Sequence, residues 1–217
     1  MENDFFFRPY VGELYGKPNN FFNGKKVLVI GNSHHCDEEY DVKNRCGSKC
    51  CNYSKDCHEF TEGVIKWYLQ NPKGTGLEPK QKSWRPTYTR FANVFKDGCD
   101  VNMFYNSVIF YNFLQRAVSN SKAKGSTSEI ANSRDLFRRL IEFSKPDYII
   151  VWGVTNVLNN LPKDDTWQCI DKEGRVYKFK MDEKDYIVIA PDHPVSFHQT
   201  NEQRRELIKS FAPELLQ

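Results

Sequence analysis

The stretch "KKVLVIGNSHHC", residues 25–36, decides the fold. Val27 to Ile30 are apolar without alternation, which marks a strand buried on both faces. Gly31 ends the run. An amide, a hydroxyl, two imidazoles and a thiol follow at once, in Asn32, Ser33, His34, His35 and Cys36. A buried strand with so polar a tip is predicted to deliver those groups to a ligand-binding rim.

Three further stretches repeat the design. "SVIFYN", 107–112, is β-branched and aromatic and ends at Asn112. "KPDYIIVWG", 145–153, starts where Pro146 resets the backbone and ends at Gly153. "DYIVIAPDHPVSF", 185–197, runs into Asp192, His193 and Pro194. Between the strands lie stretches with helical spacing, "FTEGVIKWYLQ" from Phe60 and "EIANSRDLFRRLIEF" over 129–143. Residues 87–98 suit a short helix, "NVLNNL" another, and 200–216 a final amphipathic one. Alternating helices and continuously apolar strands predict an α/β fold, a three-layer α/β/α sandwich on a central parallel sheet of about four strands. Ligands of such sheets bind beyond the carboxyl ends of the strands. The four polar clusters are therefore expected on one rim.

The 217 residues suit one domain, spanning 1–217, with a Cys-rich insertion at 36–58. Residues 1–24 read as an aromatic lead-in, 71–86 as a Gly- and Pro-rich loop, and 165–182 as a polar hairpin or loop. Apolar residues at 39 % and charged residues at 27 % exclude a disordered chain. The net charge of +3 permits a nucleic-acid partner without requiring one. "MENDFFFRPY" lacks the pattern of a signal peptide, and no apolar run reaches a membrane span. A soluble, cytoplasmic protein without a membrane partner is expected.

The segments "VLVIGNSHH", "VIFYN", "YIIVWG" and "YIVIAPDHPVS", in this order, resemble the uracil-DNA glycosylase superfamily over roughly residues 25 to 217. The resemblance implies that fold, a DNA partner, a place in DNA repair and hydrolysis of an N-glycosidic bond without a catalytic cofactor. It implies that Asn112 reads the edge of a flipped base, since an amide donates and accepts together. His193 would hydrogen-bond the base carbonyl and stabilise the leaving anion. Phe60, in "HEFT", would stack on the base. Phe197, beside Ser196, falls where the family inserts an apolar wedge into the duplex. His34 and His35 fall at a Pro-Tyr pair. Adjacent residues of an extended segment point to opposite sides, so at most one faces the pocket, and His35 is assigned to base binding. Two departures bear on the chemistry. Ser33 stands where well-known members carry a carboxylate, leaving Asn32 to place the water. Val195 stands where the His-Pro-Ser motif has its Ser. Asp192 reads as a loop carboxylate rather than as a partner of His193.

Seven cysteines without a secretion signal favour thiols or a metal over disulfides. Cys36, Cys46, Cys50, Cys51 and Cys57 lie in a segment with almost no apolar residues. One structural zinc would explain its order, ahead of an iron–sulfur cluster. Cys99 and Cys169 read as ordinary thiols. "KGTGLEPKQKSWRPTYTR", with Lys82 and Arg85, interleaves cations and rings, which suits a nucleic-acid backbone and its bases as well as it suits a solvated surface loop. "RRELIK" adds cations near the last motif. Two other functions fit the same residues. One is a base-binding module without chemistry. The other is a serine hydrolase of the Gly-Asp-Ser-like type, with Ser33 as nucleophile and His193 as base.

Overall fold

Residues 5–35, 58–71, 84–115, 117–118 and 125–216 are described in a computed structural model of the chain. The four apolar runs form its central strands, β2 (Val27–Gly31), β4 (Val108–Asn112), β6 (Tyr148–Val151) and β9 (Lys184–Ile189). They pair in parallel in the spatial order β4-β2-β6-β9. Their lack of alternation has the expected cause. Val27, Val29, Phe110, Ile150 and Ile189 pack on one face. Leu28, Ile30, Ile109, Tyr111, Ile149 and Val188 pack on the other.

The first face is covered by α1 (Phe60–Gln70), α2 (Arg85–Phe95), α3 (Val101–Asn106) and α5 (Asn201–Phe211), through Ile65, Tyr88, Phe91, Phe104 and Ile208. The second is covered by α4 (Thr127–Ser144), through Leu136, Phe137, Leu140 and Ile141. Each such side chain contributes about 1.5–3 kcal/mol by burial. The ends of α4 are written locally. Ser126 and Glu129 form a capping box, and Lys145 leaves in the left-handed region at φ 43° before Pro146. Thr200 and Gln203 box the start of α5 in the same way.

The sheet has seven strands rather than about four, in the order β1-β4-β2-β6-β9-β8-β7. The additions are antiparallel. β1 (Tyr10–Val11) pairs with β4, β8 (Val176–Met181) with β9, and β7 (Gln168–Cys169) with β8. β1 and β7 are two residues long, too short to leave a periodic signal. β8 buries only Val176 and Phe179, one on each face, among polar and half-buried neighbours, which reads as a polar hairpin. A separate two-stranded sheet pairs β3 (His34–His35) with β5 (Ala117–Val118). The helix α3 is also new, and Asp100 caps it by accepting from the backbone of Asn102 and Met103. Among the described residues no helix is long and apolar enough to cross a membrane.

From β2 the chain moves to β4 with its helices on one face. It then returns past β2 to β6 with α4 on the other. That reversal makes the carboxyl ends of β2 and β6 the switch point of the sheet, where doubly wound folds take their ligands.

Candidate functional site

Three strand ends are tied together at this rim. The backbone N–H of Trp152 donates to Ile30, and that of Gly153 to Pro191, at 2.8 and 3.0 Å. Gly153 sits at φ +98°, which a side chain rarely adopts. The backbone N–H groups of Phe113 and Leu114 donate to Gly31 and Asn32, which fastens the end of β4 to that of β2.

Asn112 is 4 % exposed and lies beside Gly31 in the ladder. A Cβ on Gly31 would come within 2.2 Å of the Asn112 Oδ1. Glycine is needed there so that the amide can cross β2. The amide Nδ2 then reaches His34, 3.2 Å from Nδ1 and 3.0 Å from Nε2. His34 Nε2 lies 2.8 Å from the Thr61 hydroxyl on α1. The rings of Phe60 and Phe7 meet the imidazole edge-on, at 4.6 and 4.9 Å. The structure thus brings Asn112 and Phe60 together, with His34 between them. The side chain of His35 lies outside the described residues.

The His193 loop is built differently. Arg204, on α5, is 2 % exposed. Its guanidinium donates to the carbonyls of Asp192, His193 and Ser196 at 3.1, 2.9 and 2.8 Å, and to Asn201 Oδ1 at 3.2 Å. Burial pulls its pKa down and the charge of Asp192 pushes it back up. Asp192 Oδ1 accepts from Arg175 at 2.7 Å, so this carboxylate braces the outer edge of the loop. The His193 ring lies edge-on to Trp152 at 5.7 Å. Its Nδ1 faces the Val195 N–H at a long 3.5 Å, an arrangement that leaves the proton of a neutral ring on Nε2. Trp152 in turn packs on Phe110 at 4.9 Å, and Asn112 follows Phe110 by two residues. Side chains two apart on a strand share a face. Asn112 and the Trp152–His193 pair therefore lie on one side of the sheet.

Phe197 stands at the tip of this loop and is 97 % exposed, so it takes no part in the core. Ser196 turns the loop, its N–H donating to the His193 carbonyl and its hydroxyl accepting from the His198 N–H. Asn32 and Ser33 are half-buried at the rim, where the Asn32 amide donates to the Ser33 hydroxyl at 3.3 Å.

The cations correct the sequence reading in part. Arg85 is 7 % exposed rather than free on a loop. Its guanidinium lies near the rings of Trp67 and Tyr68 and donates to the Asn71 carbonyl at the end of α1. The cations of "RRELIK" are engaged as well. Arg204 clamps the loop, Arg205 binds Asp97 and the carbonyls of Asn93 and Val94, and Lys209 pairs with Glu206. Arg90 remains exposed beside the clamped loop, its carbonyl accepting from Asn201.

Lys82 lies outside the described residues, as do Cys36, Cys46, Cys50, Cys51 and Cys57. Cys99 is buried, and burial pushes its thiol up to about 12, whereas Cys169 is exposed. Sequence reasoning missed Arg204, Thr61 and Phe7. Arg204 sits in a string of charges that looks solvated, and Thr61 and Phe7 reach the site only through tertiary packing.

No family model matches the chain, and no curated protein matches it significantly.

Proposed function

We propose that the chain binds nucleic acid at this rim in the manner of a uracil-DNA glycosylase, taking DNA and hydrolysing the N-glycosidic bond of an extruded base. The observation that carries the reading is Phe197, a wholly exposed ring at the tip of a loop clamped from below and carrying His193. A single exposed ring is common on protein surfaces; what singles out Phe197 is its place, on a loop fixed from below and next to His193. Beside the switch point of the sheet, it suits a wedge that fills the gap left by a flipped base. Arg90 supplies an exposed cation nearby for the phosphates. Asn112 reads the base edge, and His193 donates from Nε2 to the base oxygen as the anion develops. Asn32 stands where water would be held.

The hydrolase reading needs Ser33 activated by a histidine. Among the described residues the Ser33 hydroxyl has the Asn32 amide as its hydrogen-bond partner. The reading as a binder without chemistry draws support from Ser33, which supplies no carboxylate to the sugar cation.

A panel of oligonucleotides with damaged and deaminated bases, scored for abasic sites, tests the chemistry. Base release is expected for at least one lesion, with a roughly 100- to 1000-fold slower rate in His193→Ala. Release unaffected by that substitution contradicts the assignment of His193. Binding without release from any lesion leaves the module without chemistry.

A further inference from the structure

The groups around His34 come from several separate elements. Asn112 and Thr61 are buried polar side chains from different elements, 4 % and 0 % exposed, and both converge on the nitrogens of one flat ring. Phe60 and Phe7 wall that ring on two sides. Gly31, without a Cβ, makes room for the Asn112 amide that reaches the ring. The cradle is also braced from outside. The Gln115 side chain accepts from the Phe7 N–H and donates to the Asn112 carbonyl, at 2.9 and 3.0 Å. The Thr61 hydroxyl meets Nε2 at 2.8 Å, and the Asn112 amide nitrogen lies 3.0 Å from Nε2 and 3.2 Å from Nδ1. An amide, a hydroxyl and two aromatic walls are what any planar nitrogen heterocycle would use.

We infer that His34 is the internal occupant of a nucleobase cradle, and that a pyrimidine enters by displacing the imidazole. The inference rests on the proposed role of Asn112 as the base reader. It adds that the reading position is filled at rest, so ligand affinity includes the cost of moving His34. That cost is limited by the local architecture. His34 is not in the seven-stranded sheet but in β3, whose ladder with β5 is two residues long. Short isolated ladders are marginal in water. The ring can therefore leave without disturbing a core strand.

Two measurements test this. In His34→Gly, which vacates the ring position, free cytosine or uracil at millimolar concentration is expected to raise the thermal midpoint by several degrees. Imidazole, the excised ring, serves as the control for an open cavity. Rescue by imidazole with no response to either pyrimidine overturns the inference. If the variant does not fold, the wild-type chain carries the test. With histidine ring nitrogens labelled, a bound oligonucleotide with one unpaired pyrimidine should move the His34 signal, assigned from His34→Gln, to a solvent-exposed position. An unmoved signal in a saturated complex overturns the inference and leaves nucleic-acid binding intact. Pyrimidine binding by His34→Gly with no oligonucleotide binding by the wild type has the reverse meaning: the cradle stands and the nucleic-acid reading falls.

Discussion

The two ends of the rim handle polar groups in opposite ways. At the β4 end, Asn112, His34 and Thr61 satisfy one another inside a ring of aromatic side chains. At the β9 end, a buried arginine takes the backbone carbonyls of a loop, with His193 packed edge-on against Trp152 and Phe197 in water. The first end is closed by hydrogen bonds among its own side chains, and the second presents an exposed ring, Phe197, on a loop fixed from below. A site so divided would meet its partner at the β9 end and complete recognition at the β4 end only after an internal contact breaks.

Removing the clamp should have the largest effect on stability. Arg204→Met takes charged donors from three carbonyls in a buried setting, at an expected cost of about 2–4 kcal/mol by denaturant unfolding. Arg204→Lys, which reaches fewer carbonyls, should recover part of it. A loss below about 1 kcal/mol in Arg204→Met would mean that the loop holds its own shape. The closed end is probed by Gly31→Ala. The added methyl meets Asn112 Oδ1 at 2.2 Å and the Phe110 ring at 3.2 Å. The expected cost is about 1–3 kcal/mol, with a changed His34 ring signal because the amide must move. An unchanged signal would detach Asn112 from His34 and erase the contrast between the two ends.

Much of the scaffold was legible, because a strand buried on both faces must be apolar at every position. Val27 to Ile30, Val108 to Tyr111 and Tyr148 to Val151 obey that rule. The added strands do not, since β1 and β7 are two residues long and β8 buries only Val176 and Phe179. Local chemistry also marked a helix end at Pro146, whereas the Ser126 capping box lies before the expected span of 129–143. The site was legible only as a set of rim positions. Alternation requires that His34 and His35 diverge, but which of them meets Asn112 depends on how β3 leaves β2. Arg204 and Arg205 look alike in sequence, yet one faces buried carbonyls and the other pairs with Asp97. Helix phase against the loop decides between them, and no local pattern carries that information.

The central claim, that the β9 end of the rim meets nucleic acid through Phe197, is tested most directly by fluorescence anisotropy. A labelled duplex with one unpaired pyrimidine is titrated with the wild-type chain and with Phe197→Ala over a range of salt. Because Phe197 is exposed, its loss should leave stability within about 0.5 kcal/mol of the wild type. Stacking on one base is worth about 1–3 kcal/mol, so binding by Phe197→Ala should be about 5- to 150-fold weaker. The salt slope should be unchanged, because no phosphate contact is removed. Equal affinities of the two proteins, or no binding by the wild type at low salt, would contradict the account.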